Sequence, residues 1–499
     1  MDQPILIDTT PGQKRSPRLF MQFMEPLGTT DPSVEAGWNF QRQQWKTDFL
    51  ETVRDLAPGC IRWGGIYSSF WKWREGVGPR EQRVPLMNLL WDGVETNQIG
   101  VHEILELCRA VSAEALMAIN FAGDGRPEYV SPEGGPSRAG DAAEAADLVS
   151  YCNDPDHGER RANGAFEPFG VKLWQIGNET SYPREGRRFT RQENARHFVE
   201  FARAMKSRDA SIELIGWGDA THHEEGFWAE SLLAEAGELV DFIAIHMMNQ
   251  KPPSPDSILR GRDYMDDRPR AWAELQETYA AVKAKLNEAT AAVGSRAGGT
   301  RLAITEGHLS LRPHNTSLLL YEWLAGLYSA RVMNLYERNA DRVEVATLAD
   351  FFGTRWTVNA VMLGGPGQRP FLMPAGTVAK WYRRSSGTHC VGSPSDTGAL
   401  DVACSRDADT LYVHVVNTDI HTSVMRTLQL DQAAEGSVRI HTIAPDRLDA
   451  YVDYEHPDTF EPTETTAPLG DRRLEWSFPA ASVTMMEFPL TGDAGRLIT

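Results

Sequence analysis

Two glutamates are set apart by what precedes them. The run Val171–Gly177 (VKLWQIG) leads straight into Asn178–Glu179, and the run Arg301–Thr305 (RLAIT) leads into Glu306. Short runs that are apolar almost throughout form strands buried on both faces of a parallel sheet. A single glutamate at such a place more often makes a salt bridge or caps a helix. Two of them at the ends of buried strands suit a particular chemistry. Hydrolysis of a glycosidic bond needs one protonated carboxyl to donate to the leaving oxygen. It needs a second, ionised carboxyl to attack the anomeric carbon or to activate water. Glu179 and Glu306 are therefore the candidate catalytic residues.

The elements that would hold this pair follow a regular order. Strand candidates are Arg18–Phe23, Gly59–Gly64, Ala115–Phe121, Val171–Gly177, Ile212–Gly216, Phe242–His246, Arg301–Thr305 and Val345–Phe351. Between them lie helical patterns, such as Val101–Ser112, Glu193–Ser207 and Ala271–Asn287, with apolar residues three and four apart. Eight strands alternating with helices predict an α/β fold, a (β/α)8 TIM barrel, whose catalytic groups stand at the C-terminal ends of the strands. Glu179 and Glu306 would then share the mouth of the barrel from strands four and seven. After the breaker cluster Gly364–Pro370 the pattern changes to alternating runs, Thr410–Asn417, Ser437–Ile443 and Ser482–Phe488. These predict a C-terminal antiparallel β-sandwich. The expected division is 1–17 as an N-terminal segment, 18–365 as the barrel and 366–499 as the sandwich, with Pro4–Asp8 adding a strand to the sandwich.

Composition narrows the function classes. The chain has 499 residues, 50 Lys plus Arg against 69 Asp plus Glu, and a formal net charge of -19. Nucleic acid and anionic membranes both need basic patches, so neither is an expected partner. No apolar run reaches the roughly 18 residues of a membrane span, and the first residues lack the pattern of a signal peptide. Five cysteines (Cys60, Cys108, Cys152, Cys390, Cys404) form no CxxC pair. They read as free thiols in a reducing cytoplasm. Fourteen tryptophans suit a site that stacks on sugar rings, though tryptophan also fills cores.

The stretch Ile61–Glu103 (IRWGGIYSSFWKWREGVGPREQRVPLMNLLWDGVETNQIGVHE) resembles the signature region of glycoside hydrolase family 51, the α-L-arabinofuranosidases of clan A. The likeness continues through Ala115–Asn120, Tyr151–Asn153, Leu173–Glu179, Asp241–His246, Ala303–Glu306 and Asn334–Leu348. The resemblance implies a retaining double displacement with Glu179 as general acid/base and Glu306 as nucleophile. It implies that Asn178 bonds the sugar 2-hydroxyl, that Glu25 binds sugar hydroxyls, and that Arg62 keeps the nucleophile ionised. It places His246 at the end of the sixth strand. No metal and no cofactor are implied. The partner is a carbohydrate substrate, and the family tendency is to homo-oligomers.

Four positions depart from the family pattern. Arg62-Trp63-Gly64-Gly65-Ile66 is one residue shorter than the usual segment, and a sugar-contacting Asn becomes Ile66. His246-Met247-Met248 lacks the family tyrosine, leaving Met248 in its place. Thr305-Glu306-Gly307 lacks a tryptophan after the nucleophile, and Asp350 replaces a glutamine. Together these changes predict altered sugar specificity, with α-L-arabinofuranosides as poor or secondary substrates. The leading activity is release of an α-L-arabinofuranosyl or related furanosyl residue from plant-derived saccharide. The alternatives are a β-xylosidase or β-glucanase activity on the same scaffold, or a sugar-binding protein that has lost turnover. Trp63, Trp71, Trp73 and Trp91 are candidates for a stacking wall. His308 and His314 are candidates for the cavity lining, Asp92 and Glu95 read as structural, and His222-His223 reads as surface loop.

Overall fold

The computed structural model describes residues 3–490 except 29, 32, 122–136, 182–188, 221–225, 250–254, 295–298, 366, 393, 395, 396, 433 and 435. The pair His222-His223 lies outside the described residues.

The fold is mixed α/β, built on one curled parallel sheet. Its strands in order are Met21–Met24, Cys60–Trp63, Glu114–Ala118, Leu173–Ile176, Glu213–Trp217, Phe242–Asn249 and Arg301–Leu309. Each bonds the next in parallel. The first, second and fourth strands are buried at every position, as strands covered on both faces must be. The eighth strand is broken. Val343–Val345 pairs with the seventh strand, and Asp350–Gly353 pairs with the first through Asp350 and Phe23. Between the two pieces Ala346 donates to Arg18 O and accepts from Met21 N. The expected continuous strand Val345–Phe351 is thus two short ones. The first strand also starts later than Arg18, because Ser16 accepts from Arg18 N and opens a 3-10 turn over Pro17–Phe20.

Amphipathic helices cover the outside of this sheet. Val101–Val111 buries Val101, Ile104, Leu105, Cys108 and Val111, the three- and four-residue spacing that fills one helix face. Arg191–Lys206 begins with a capping box, Thr190 against Glu193, worth about 1 kcal/mol. Helix Trp323–Arg338 is buried almost all round. It lies between the curled sheet and the C-terminal strands, where Arg331, Asn334 and Arg338 bond Asp401. The sheet extends beyond residue 365, where the sequence suggested a boundary. Phe371–Leu372 pairs with Asn359–Met362, and helix Pro374–Arg384 covers it. No described helix is long and apolar enough to cross a membrane.

The C-terminal part holds a seven-stranded and a three-stranded sheet. The smaller one joins Ile5–Ile7, Val424–Leu430 and Arg473–Phe478. Ile5, Ile7, Leu428 and Phe478 share one buried cluster with Val402, Leu411, Val413 and Ile440 of the larger sheet. In the larger sheet, Pro11–Lys14 pairs with His389–Val391. Both N-terminal strands therefore lie against residues some four hundred positions later.

Candidate active site

The fourth strand ends at Ile176, and the chain leaves it through two left-handed residues, Gly177 (φ 86°) and Glu179 (φ 52°). A non-glycine residue in that region costs roughly 1–2 kcal/mol. Strain of this kind concentrates at functional sites. On the other side, the pairing of strands six and seven slips by one residue after Ile245, so that His246 faces Glu306 instead of Thr305. Such an irregularity re-aims side chains. Here it brings His246 Nδ1 to 3.1 Å from Glu179 Oε1 and 3.6 Å from Glu306 Oε2. The donor atoms of Glu179, His246 and Glu306 all lie within 4.8 Å of one another.

Behind this group stands Arg62, fully buried in the second strand. Its Nη1 donates to Glu306 Oε1 at 2.9 Å, its Nη2 to Asn178 Oδ1 at 2.7 Å and its Nε to Gln175 Oε1 at 2.8 Å. One rigid guanidinium fork thus fixes groups from strands four and seven in a single plane of contacts. His246 is held from behind as well. Its Nε2 is 3.2 Å from Thr305 Oγ1, and its backbone N donates to Asp219, which also accepts from Lys285. A divalent cation could use Glu179, His246 and Glu306 as donors. The Arg62 charge already sits on Glu306, however, and would repel a second positive charge.

A cavity of about 300 Å³ opens in front of the two glutamates. Glu25, Ile66, Met248 and Asp350 all line it, together with Glu179 and Glu306. Glu25 follows the first strand and accepts from Tyr67 N at 2.7 Å. A Cβ at residue 65 would come within 2.5 Å of the Glu25 carboxyl, so Gly65 leaves the room that this close approach needs. Burial, reinforced by the charge of Glu306, raises the Glu25 carboxyl to about 8. Burial and the charge of Glu306 also push Asp350 well above the ordinary carboxylate range. His308, on the seventh strand, is lowered to about 3 by burial and by His314 and His246.

The sequence-predicted residues fall into two shells and one exception. Glu25, Ile66, Met248 and Asp350 face the cavity with Glu179 and Glu306. Arg62 and His246 stand behind the carboxylates, and Asn178 stands beside Glu179, bonded to Arg62. Trp63 corrects the expectation made for it. It is 1% exposed and packs edge-on against Trp71. Successive residues of a strand point to opposite faces. Because Arg62 points among the carboxylates, Trp63 points to the opposite face of the sheet, against Trp71. Trp71 and Trp73 are likewise buried in packing, against Tyr67 and Tyr151. Trp91 does line the cavity and meets Trp356 edge-on. His308 and His314 also reach the cavity. Glu95 accepts from Gly28 N and Asn88, tying the loop after the first strand to the hairpin Leu86–Glu95.

Sequence reasoning passed over Gln175, Asp219 and Asp31. The signal for Gln175 was a polar residue inside an otherwise apolar strand. Asp31, fully buried, accepts from the backbone N of Thr354, Arg355 and Trp356 and from Asn359. It thereby fixes the loop that carries Trp356.

Comparison with known proteins agrees with this geometry. Residues 52–270 match the α-L-arabinofuranosidase 1 domain, and residues 313–482 match the α-L-arabinofuranosidase C-terminal domain. An exo-α-(1→6)-L-arabinofuranosidase of Bifidobacterium longum is 27% identical over 86% of this chain and 86% of its own length. An intracellular exo-α-(1→5)-L-arabinofuranosidase of Acetivibrio thermocellus is 31% identical over 50% of this chain and 49% of its own. The crystal structure of the α-L-arabinofuranosidase of Thermotoga maritima, an arabinose complex, superposes with a TM-score of 0.77 at 24% identity. That superposition covers 98% of this chain and 100% of the other. The two matched domains, the relative matched over most of both chains and the shared fold show that this chain belongs to the α-L-arabinofuranosidase family, glycoside hydrolase family 51, and is a glycoside hydrolase.

Proposed function

We propose that the protein hydrolyses an α-L-arabinofuranoside or a related furanoside with retention of configuration, by a double displacement. The observation that carries this reading is the approach of carboxylate oxygens of Glu179 and Glu306 within 4.8 Å. Retaining enzymes hold the two carboxyls about 5–5.5 Å apart, whereas inverting enzymes leave about 6.5–9.5 Å for a water between them. In the first step Glu306 attacks the anomeric carbon while Glu179 gives its proton to the departing glycosidic oxygen. The C–O bond to the leaving group breaks as the glycosyl–Glu306 bond forms. In the second step Glu179 takes a proton from water, whose oxygen displaces Glu306. Arg62 orients the nucleophile through a charge-assisted bond, and Asn178 bonds the sugar 2-hydroxyl. His246 Nδ1 lies within hydrogen-bond distance of Glu179 and beside Glu306, and so orients the acid/base. Glu25, protonated at neutral pH by its raised pKa, donates to a sugar hydroxyl without adding a third negative charge.

The scaffold in this proposal is a (β/α)8 barrel with a C-terminal β-sandwich. The bonds of Ala346 to Arg18 and Met21 and the buried cluster shared by the two C-terminal sheets support it. The division between them follows helix Pro374–Arg384 rather than residue 365. A cytoplasmic location belongs to the same proposal. The substrate class is that of the related exo-arabinofuranosidases. The lining by Ile66 and Met248 supports a second reading, in which another furanoside is preferred to the arabinoside.

A 2-deoxy-2-fluoro furanosyl inactivator tests the mechanism. Mass spectrometry should find the adduct on Glu306, and NMR of the first-formed sugar should show the starting anomeric configuration. An inverted product, or an adduct elsewhere, refutes it. A panel of 4-nitrophenyl furanosides and pyranosides tests the substrate. A clear preference for α-L-arabinofuranoside removes the second reading.

A further inference from the structure

One polar pair in the cavity has no part in the double displacement. Asp350 opens the second piece of the eighth strand, and His308 lies on the seventh; both line the cavity. Each is more than nine-tenths buried, at 8% and 7% exposure. Asp350 Oδ1 has no hydrogen-bond partner. His308 Nε2 stands 3.5 Å from it, too far for a good bond. The other ring nitrogen, Nδ1, is engaged by Ser310 Oγ at 3.0 Å, and the ring lies parallel to Phe23 with an interplanar angle of 12°. The imidazole is thus fixed in orientation, with Nε2 left over.

We propose that Asp350 and His308 form a two-point clamp for one non-reacting hydroxyl of the bound sugar, and that this clamp sets which furanoside the cavity accepts. A hydroxyl can donate to one of two atoms and accept from the other only if one of them carries a proton and the other a lone pair. The charged and titratable groups facing the pair are Glu25, Glu306, Asp31, His246 and His314. Burial, reinforced by the charge of Glu306, keeps Asp350 a neutral carboxylic acid and a donor. Burial keeps His308 neutral, so Nε2 is an acceptor when Nδ1 holds the proton toward Ser310. The substrate hydroxyl then accepts from Asp350 and donates to His308. With Ile66 and Met248 apolar on the cavity wall, this pair gives the cavity a place to read a hydroxyl beyond those held by Glu25 and Asn178. A pocket with polar groups set for a hydroxyl rejects an analogue without one far more strongly than an apolar pocket does.

This inference rests on the furanoside reading above and is tested by binding, without turnover. L-Arabinose and its 3-deoxy and 5-deoxy analogues are titrated calorimetrically into wild type, H308F and D350L. Wild type should bind one of the two analogues roughly 10- to 100-fold more weakly than arabinose, as expected for a lost hydrogen bond to a buried partner. That discrimination should shrink to within about twofold in both variants, while the penalty for the other analogue is unchanged. D350Q, which keeps a donor, should restore part of it; this variant serves if D350L fails to fold. Equal penalties in wild type and in the variants, for both analogues, overturn the clamp. Failure of the furanoside reading shows separately, as no adduct on Glu306 from the fluoro-sugar although the sugars still bind.

Discussion

Arg62→Lys separates charge from geometry at the centre of the site. Lysine keeps the positive charge in this fully buried position, but one ammonium replaces a fork that reaches three acceptors on Glu306, Asn178 and Gln175. A shorter reach and a single nitrogen should satisfy one of them, the charged one. Two buried acceptors then lose their partner at about 1–3 kcal/mol each. The expected loss of stability is therefore about 2–6 kcal/mol, measured by urea denaturation with an unchanged m-value. Glu306 also loses the plane that orients it, and a misplaced reacting group costs on the order of 100-fold in turnover. The fall should appear in kcat on a 4-nitrophenyl furanoside more than in KM. Gln175→Met provides the control, because it removes the bonds of Gln175 to Arg62 Nε and to Gly177 O and leaves Arg62 on Glu306. It should cost stability, yet keep kcat within a few-fold. If Arg62→Lys loses less than about 1 kcal/mol and stays within twofold of wild-type turnover, the fork does not organise the carboxylates and the argument fails.

Glu179→Ala should slow substrates with poor leaving groups by at least about 100-fold, the usual contribution of general acid catalysis, and spare dinitrophenyl glycosides in the first step. Azide should restore turnover, and equal slowing of both substrates would contradict the acid role. Glu25, whose folded carboxyl sits near 8 against an ordinary 4.5, makes stability depend on pH in a defined direction. The contribution of the Glu25 carboxyl to folding is fully present below pH 4.5, where both states hold the proton, and is lost as pH rises through 8, while only the folded state still holds it. The melting temperature of Glu25→Gln relative to wild type should therefore climb across that window and level off above it; a flat difference argues against the raised carboxyl. Asp31→Ala removes the acceptor for three backbone N–H groups and Asn359, and should cost about 3 kcal/mol or more. Quenching of Trp356 fluorescence by acrylamide should rise in the same variant, and an unchanged cavity wall would show the loop to be held otherwise.

What could be read from the residues alone was local. The strands carrying Glu179 and Glu306 are apolar runs with a charged end, and both the run and its end are visible in one dimension. The direction of Trp63 was not, because it depends on which neighbour, Arg62 or Trp63, faces the interior, and both are large enough to fill either side. Gln175 and Asp219 gain their meaning from Arg62 and Lys285, which lie 113 and 66 positions away. The break in the eighth strand is invisible for a similar reason. Ala346 turns to bond residues 18 and 21, and nothing in its own neighbourhood announces those partners. The helical pattern over 271–287 fell short of Arg268–Val293, whose start is set by the Asp267 cap.

The pairing of Ile5–Ile7 with Val424–Leu430 bears on how the protein is made. During synthesis the leading strand emerges more than four hundred residues before its partner. At about 5–20 residues per second it waits on the order of 20–80 s without the neighbour that covers it. An apolar strand left open for that long is a template for wrong pairing. Its length of three residues keeps that hazard small, and the pairing is a clasp in which an early part of the chain is locked by one made much later.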